Sequence, residues 1–130
     1  MARKVLIIDD DREFLGELKE LLVLSGYEVN AIEDSTKAFM AAARSKPDVI
    51  LLDLKMKKMS GFDVLDKLRN SSSTSSIPVI IISGYFSEER DFPLLRFFNV
   101  KNYLQKPLPP LYIIRKIEAA ANMRGLPVAP

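Results

Sequence analysis

The sequence predicts an α/β fold in which a parallel sheet lies between two layers of helices. Short apolar runs rich in β-branched residues alternate five times with longer stretches whose apolar residues recur at helical spacing. The strand-like runs are almost continuously apolar, which is typical of strands that helices bury on both faces. Short connections between the two kinds of segment favour repeated strand–helix–strand units, and therefore a parallel sheet.

Composition limits the functions open to this chain. Its 130 residues suffice for one domain with a hydrophobic core. Cysteine and histidine are both absent, which excludes disulfides, zinc sites built from these residues, and mechanisms that use a thiol or an imidazole. The net charge of +2 gives no electrostatic reason to expect nucleic-acid or membrane binding. No apolar run is long enough to span a bilayer or to serve as a signal peptide, so we expect a cytoplasmic protein.

The first unit begins with a β-branched strand at Lys4–Ile8 and continues into a helix over 14–22. Asp11 is a suitable N-cap for this helix. Gly26 follows the last periodic residue, where a left-handed turn favours glycine. A second strand is expected at 27–32.

The second and third units follow the same plan. Asp34 is a candidate cap for a second helix, which Pro47 ends. The run Val49–Leu52 predicts a third strand that is buried on both faces, and Asp53 follows it directly. The apolar pattern over Gly61–Arg69 predicts a third helix.

The last two units are separated from the third by a Ser/Thr-rich segment at 70–76, which is typical of a solvated loop. A fourth strand is expected at 78–82, followed by a long polar loop. Pro93 predicts the first turn of a short, late-starting fourth helix, because that turn does not need the missing N–H. A fifth strand at 101–105 and a last helix at 111–123 complete the chain.

The usual arrangement of five such units is a doubly wound, flavodoxin-like (βα)5 sandwich with sheet order 2-1-3-4-5. Its switch point lies between the first and third strands. In this order Asp9 and Asp10, which follow the first strand, converge with Asp53 at the carboxyl end of the sheet. That end is where open α/β sheets bind their ligands.

Three neighbouring carboxylates require a physical explanation, because like charges repel and spread the pKa values of the group. A divalent cation offsets the repulsion, and a site with only oxygen ligands suits Mg²⁺. A simpler interpretation is that the acids at 9–11 cap the first helix. That interpretation leaves the convergence with Asp53 unexplained, so we favour a metal site.

Two further side chains are expected at the same edge of the sheet. Lys106 ends the fifth strand and could pair with the acids and then with a phosphoryl group. Ser83 ends the fourth strand, and its hydroxyl could donate to a phosphoryl oxygen. Each has a plain alternative, since a lysine before proline is usually a surface residue and Ser83-Gly84 is an ordinary turn signal.

Taken together and in order, these segments resemble the CheY-like receiver domain of bacterial two-component response regulators, along nearly the full chain. Each segment is a weak signal by itself, and their succession on the expected elements makes the resemblance specific. The matching segments are Val-Leu-Ile-Ile-Asp-Asp at 5–10, Pro-Asp at 47–48 with Asp-Leu at 53–54, Met-Ser-Gly at 59–61, Ser-Gly at 83–84, and Tyr-Leu-Gln-Lys-Pro at 103–107.

The resemblance implies a phosphoacceptor and a metal site. Asp53 would accept the phosphoryl group. Asp10 would bind Mg²⁺ (or Mn²⁺) directly, Asp9 would hold it mainly through water, and Asp53 and the backbone carbonyl of Lys55 would complete the protein ligands.

The resemblance also assigns roles on the neighbouring strands. Ser83 and Lys106 would contact the phosphoryl group, and Ser83 and Tyr103 would form the conformational switch. The bond between Lys106 and Pro107 would be cis, as is usual in the family.

The function implied is that of a receiver domain at 1–124, followed by a tail or the start of a linker at 125–130. It would take a phosphoryl group from a sensor histidine kinase or a histidine phosphotransfer protein, and relay the signal to a partner protein or output domain. It would catalyse its own phosphorylation and autodephosphorylation only, rather than act as an enzyme on other substrates. No nucleic-acid or membrane partner is expected.

A homodimer through the face of the fourth helix, fifth strand and last helix is a further implied partner. Large apolar side chains surround this face, and we interpret any two that are exposed together as a contact surface. These side chains are Phe97, Phe98, Tyr103, Leu111 and Tyr112.

The chain departs from the family pattern at several positions. Lys57 stands where the family usually has proline, and Pro93 implies an unusual fourth helix. Asn99 precedes Val100 where Gly-Ala is usual, although asparagine keeps the left-handed option. Lys55 and Tyr85 lie beside the predicted site, and we hypothesise that they shield the acyl phosphate from water and lengthen its life. The alternative is that both side chains point to solvent.

Three competing functions remain to be weighed. A Mg²⁺-dependent aspartyl-phosphate phosphohydrolase of the haloacid-dehalogenase kind would need an Asp-x-Asp motif after the first strand and a cap region, whereas the acids here are contiguous and no cap is present. A flavodoxin would need a phosphate-binding loop there, and the acids at 9–11 would repel a phosphate. A degenerate receiver would lack some of the site residues, and all five principal ones are present.

Overall fold

The computed structural model describes residues 3–84 and 87–123. Within these residues five strands and five α-helices alternate, and a short 3₁₀ helix, Ser35–Lys37, leads into the second helix. None of the described helices has the length and apolar character needed to cross a membrane. The elements are β1 Lys4–Ile8, α1 Arg12–Leu24, β2 Glu28–Ile32, α2 Ala38–Ser45, β3 Val49–Leu52, α3 Gly61–Arg69, β4 Val79–Ser83, α4 Glu88–Phe97, β5 Asn102–Gln105 and α5 Pro110–Met123.

The five strands form one parallel sheet in the order β2-β1-β3-β4-β5, which confirms the predicted fold and strand order. Its register determines which residues meet at the carboxyl edge. Ile8 lies beside Leu52, so the residues that follow β1 and β3 emerge side by side. Ser83 lies beside Gln105, so the residue after β5 emerges next to the end of β4.

The hydrophobic core has two layers, one on each face of the sheet. Side chains alternate along a strand, so Leu6 and Ile50 pack toward α2, α3 and α4, whereas Ile7 and Leu51 pack toward α1 and α5. The four residues of β3 are each at most 1% exposed. This burial on both faces explains why the β3 run is continuously apolar.

The predicted turn residues hold the ends of several helices. The Asp11 carboxylate accepts a hydrogen bond from the Phe14 N–H at 3.2 Å and caps α1. Gly26 and Asn99 have φ of 94° and 57°, the left-handed conformation expected after a helix. Asp34 caps the 3₁₀ helix ahead of α2, through a 3.0 Å bond from the Thr36 N–H.

The fourth helix corrects the sequence prediction. It begins at Glu88, so it is neither short nor late-starting, and Pro93 lies inside it. The buried Asp91 explains this start, because its carboxylate accepts the Ser87 N–H at 2.8 Å while its own N–H donates to the Ser87 carbonyl at 2.8 Å. Proline removes one helical hydrogen bond, the one to the Glu89 carbonyl, and this reciprocal pairing stabilises the turn before it.

The Ser/Thr-rich segment at 70–76 is also less solvated than predicted. Thr74 is fully buried, and its hydroxyl donates to the Leu68 carbonyl at 2.6 Å. The half-buried Arg69 holds the same segment through bonds to the carbonyls of Ser75 and Ile77. The polar segment is therefore not a freely solvated loop, because these hydrogen bonds anchor it to the end of α3.

Candidate functional site

Three carboxylates meet at the carboxyl edge of the sheet, at the end of β1 and β3. One oxygen each from Asp9, Asp10 and Asp53 lies within 4.8 Å of the other two. Asp9 and Asp53 are buried and Asp10 is half-buried. The cluster arises from the parallel register, because the Asp53 N–H donates to the Ile8 carbonyl at 3.0 Å and thereby extends the pairing of β1 with β3.

Asp9 is the most buried of the three acids, at 2% exposed. Burial raises the pKa of Asp9 to about 6, with a smaller contribution in the same direction from the charge of Asp53. Hydrogen bonds from the Lys106 ammonium, at 2.7 Å, and from the Asp11 N–H, at 3.0 Å, oppose that rise. Lys106 therefore compensates the cluster incompletely, and additional positive charge would stabilise it.

Lys106 follows β5, and its ammonium extends from the end of that strand to Asp9 and Asp53. Its backbone N–H donates to the Ser83 carbonyl at 2.9 Å, which fixes its position relative to β4. Its ammonium lies 3.9 Å from Asp53 Oδ2 and 4.0 Å from the centroid of the Phe14 ring. The peptide bond to Pro107 is cis, as the resemblance implied.

Asp10 has a partner that depends on a departure from the family pattern. Its Oδ2 accepts a hydrogen bond from the Lys57 backbone N–H at 2.9 Å. Proline, the residue that the resemblance leads one to expect at this position, has no N–H to donate. Lys57 therefore ties the loop after β3 to the end of β1, at a residue predicted to bind metal.

Gly61, at the start of α3, is a site residue that the sequence analysis quoted only as part of a motif. A Cβ placed there would lie 2.3 Å from the Asp53 carbonyl oxygen and 2.7 Å from the Leu54 Cα. The Gly61 N–H donates to the Leu54 carbonyl at 2.8 Å. Only glycine permits this approach of α3 to the backbone of Asp53, because any other side chain would collide with main-chain atoms.

Phe14 was also missed as a neighbour of the site. Its spacing marked it as a core residue of α1, and it does pack against the core. The cation–π contact with Lys106 could not be read from spacing, because the two residues are 92 positions apart and meet only in the folded sheet.

The other predicted residues lie around this cluster. Ser83 is fully buried at the end of β4, and the exposed Lys55 follows β3, where its N–H points to Asp53 Oδ1 at 3.4 Å. Tyr103 on β5 is 37% exposed, and its ring packs edge-on against Phe92 of α4 with the centroids 4.8 Å apart. Tyr85 lies outside the described residues. The roles assigned to these residues by resemblance stay predictions.

The donor set fits a hard divalent cation. It consists of carboxylate oxygens, two of them on buried acids. Oxygen ligands of this kind are those of Mg²⁺ in proteins, which usually keeps several waters and uses one or two carboxylates.

This fold is that of a known class. A model of the response regulator receiver domain matches residues 5–118, and the chain therefore belongs to that family. The transcriptional regulatory protein CpxR of Klebsiella pneumoniae is 36% identical over 116 residues, which make up 89% of this chain and 48% of CpxR. The chain spans about half the length of the first curated relatives it matches.

Solved structures show the same fold. The chemotaxis protein CheY4 of Vibrio cholerae has a TM-score of 0.86 and 25% identity, with 92% of this chain and 99% of that chain covered. The receiver domain of the sensor histidine kinase PA1611 of Pseudomonas aeruginosa has a TM-score of 0.83 and 20% identity, with 94% and 99% covered. The PA1611 structure has a magnesium ion coordinated in its active-site cleft.

Proposed function

We propose that this chain is a phosphoacceptor receiver domain that takes a phosphoryl group onto Asp53. The observation that carries the proposal is the position of Asp53 at the end of β3, with the ammonium of Lys106 3.9 Å away and two further acids beside it. A carboxylate nucleophile next to a fixed cation is the arrangement that phosphoryl transfer requires, because catalysis of that reaction is mostly positioning and charge stabilisation.

In the transfer step, one Asp53 carboxylate oxygen attacks phosphorus and forms a P–O bond, while the P–N bond to a phosphohistidine breaks and the imidazole leaves with the electron pair. The chain contains no histidine, so the donor belongs to a sensor histidine kinase or a histidine phosphotransfer protein. Lys106 supplies positive charge beside the oxygens of the transferred group. Ser83, buried at the end of β4, would donate its hydroxyl to them.

Mg²⁺ is the proposed cofactor, and Mn²⁺ is a substitute of similar ligand preference. Asp10 and Asp53, the Lys55 carbonyl and, through water, Asp9 would hold it. When bound, the ion neutralises negative charge on the carboxylates and on the phosphoryl oxygens. Support comes from the convergent carboxylates of this chain and from the magnesium in the PA1611 receiver.

The signal would leave through the surface of α4, β5 and α5. Tyr103 packs on Phe92 of α4, so a movement of Ser83 and Tyr103 toward the site would alter this surface. Phe97, Leu111 and Tyr112 are 79%, 60% and 46% exposed. An apolar surface of this kind suits a second copy of the chain or a partner protein.

Nothing in the net charge of +2 supports a nucleic-acid partner.

The product is an acyl phosphate on the protein itself, so the chain would act on its own phosphorylation state rather than on external substrates. A Mg²⁺-dependent phosphohydrolase is the alternative. It would turn over free phosphate esters, and a steady-state assay with such an ester separates the two functions.

Intact-mass spectrometry after treatment with acetyl phosphate and Mg²⁺ tests the proposal. The wild-type chain should gain one phosphoryl group, and Asp53→Asn should gain none. Asp63→Asn is a matched control, because Asp63 is an exposed acid in the first turn of α3. An unmodified wild-type chain, or modification that persists in Asp53→Asn, would contradict the proposed site.

A further inference from the structure

A cavity lies at the edge of the sheet opposite the edge that carries the carboxylates. Its volume is about 440 Å³, within the range of small-molecule sites. It is formed by the end of α3, by the segments that lead into β4 and β5, and by Ala120 of α5. Because β4 and β5 are parallel, this is the amino edge of the sheet, and the strands separate the cavity from Asp53.

The lining of this cavity has an unusual charge pattern. Among the described residues, its polar lining consists of two cations, two amides and two hydroxyls, with no carboxylate: Arg69, Lys101, Asn99, Asn102, Ser75 and Ser76. The cavity of about 610 Å³ beside Asp10 provides a contrast, because its cations face acids. There the guanidinium of Arg12 pairs with Glu33, and the ammonium of Lys58 pairs with Asp34.

Arg69 is held rigidly at the wall of the amino-edge cavity. Its Nε donates to the Phe98 carbonyl at 2.7 Å, and its Nη1 donates to the carbonyls of Ser75 and Ile77 at 3.0 and 2.7 Å. All three acceptors are neutral. Burial lowers the pKa of Arg69, because it withdraws the charged guanidinium from water.

Lys101 adds a second positive charge to the lining. Among residues 3–84 and 87–123, no carboxylate lies within salt-bridge distance of either Arg69 or Lys101. Two cationic residues and two asparagines thus line one cavity, and side chains of both kinds can donate hydrogen bonds to an anion. Pro78 and Val79 provide an apolar wall beside them.

We propose that this cleft binds a small organic phosphate of about the size of a mononucleotide. The phosphate would lie between Arg69 and Lys101 and accept hydrogen bonds from Asn99 and Asn102, while the uncharged part would pack on the wall that contains Pro78. This site is separate from Asp53 and does not depend on phosphorylation there. Since Arg69 also holds the Phe98 carbonyl after α4, the ligand would act on the end of that helix.

The test is a titration of the ¹⁵N-labelled chain with adenosine monophosphate, followed by NMR. EDTA is present throughout, so that no divalent cation recruits phosphate to the carboxylate cluster. We expect millimolar ligand to shift the amide signals of Ser76, Val79 and Asn102. Inorganic phosphate should shift the same amides at higher concentration, because it lacks the part that packs on the apolar wall, and adenosine should leave them unchanged.

Two variants provide a matched comparison. Lys101→Gln removes an exposed cation of the cleft without touching the carbonyl bonds of Arg69, and should raise the Kd about fivefold, the effect of one exposed ion pair. Lys67→Gln removes an exposed cation of α3 outside the lining, and should leave the Kd unchanged. The proposal is overturned if these amides do not respond, if the two variants weaken binding equally, or if adenosine or inorganic phosphate binds as tightly as the nucleotide.

Discussion

The ammonium of Lys106 lies 2.7 Å from Asp9 Oδ2 but 3.9 Å from Asp53 Oδ2. The lysine is therefore primarily the partner of the buried Asp9 rather than of the proposed nucleophile. A phosphoryl group on Asp53 would bring new negative oxygens toward Lys106 and compete with Asp9 for it. This competition links the occupancy of Asp53 to the contacts at the ends of β1 and β5.

Lys106→Gln should slow phosphorylation of Asp53 by acetyl phosphate by at least about 100-fold, the usual effect of removing one charge-stabilising donor. The rate of mass gain measures it. Lys67→Gln, which removes an exposed lysine of α3, should leave the rate unchanged. A wild-type rate in Lys106→Gln would show that this ammonium takes no part in the transfer.

Gly61→Ala should destabilise the fold by about 2 kcal/mol, because the new Cβ would lie 2.3 Å from the Asp53 carbonyl and force backbone movement. The same movement should lower the phosphorylation rate. Urea unfolding measures the stability. Gly16→Ala is the control, since its Cβ meets nothing within 4 Å and alanine in a helix interior should add up to about 1 kcal/mol. Equal stability of the two variants would contradict the close approach.

Asp91 should stabilise α4 in a pH-dependent way. The hydrogen bond from Arg90 lowers the pKa of Asp91, burial opposes that shift, and the Ser87 N–H lowers the pKa further. An acid whose pKa is lower in the folded state stabilises the fold above its unfolded pKa, and the contribution disappears as the pH falls through the folded value. Asp91→Asn should therefore cost about 0.5 to 1 kcal/mol at pH 7.

The pH profile of urea unfolding distinguishes this charge effect from a packing effect. The difference between wild type and Asp91→Asn should stay constant from pH 7 to about pH 4, the unfolded pKa of aspartate, and shrink below it. Glu89→Gln changes an exposed acid in the same turn of α4 and should show a smaller difference. A cost that persists at the lowest pH would assign the effect to packing instead.

Lys55→Ala should shorten the lifetime of the acyl phosphate several-fold, if the exposed lysine side chain restricts the access of water to Asp53. The measurement is the decay of the phosphorylated mass after removal of the donor. Tyr85→Ala should act in the same direction, and Lys67→Ala should have no effect. An unchanged decay rate in both Lys55→Ala and Tyr85→Ala would eliminate the shielding hypothesis.

Phe97→Asp should prevent self-association of the phosphorylated chain, because a charge would replace a ring that is 79% exposed on α4. Sedimentation at several protein concentrations, with and without beryllofluoride as a phosphate mimic, measures the mass. Leu24→Asp is a matched control on α1, where Leu24 is 80% exposed. Equal loss of the dimer in both variants, or a monomeric wild type under all conditions, would exclude a dimer through α4, β5 and α5.

Most of the fold could be predicted because its signals are local. The burial of β3 on both faces produces a continuous apolar run, and Asp11 and Gly26 mark the ends of α1 through their own side chain or backbone freedom. The placement of Asp9 and Asp53 follows in turn, since parallel strands bring the residues after them to one edge.

The predictions were wrong where a hydrogen bond formed in the folded chain outweighs the structure that the local sequence favours. Pro93 favours a helix start, but the bonds between Asp91 and Ser87 begin α4 five residues earlier. The segment at 70–76 has the composition of a solvated loop, but Thr74 is buried and its hydroxyl donates a hydrogen bond to the Leu68 carbonyl. Neither bond leaves a recognisable spacing in a single sequence.

By itself, the sequence determined the elements, their order and the identity of the groups at the carboxyl edge, because hydrophobic periodicity and strand ends are properties of neighbouring residues. Only the tertiary structure decided which of these groups are partners. Lys106 pairs with Asp9 in preference to Asp53, the Lys57 N–H binds Asp10, and α3 needs Gly61 beside Asp53. These contacts join residues on different elements, and their distances depend on sheet register and packing, which local sequence does not encode.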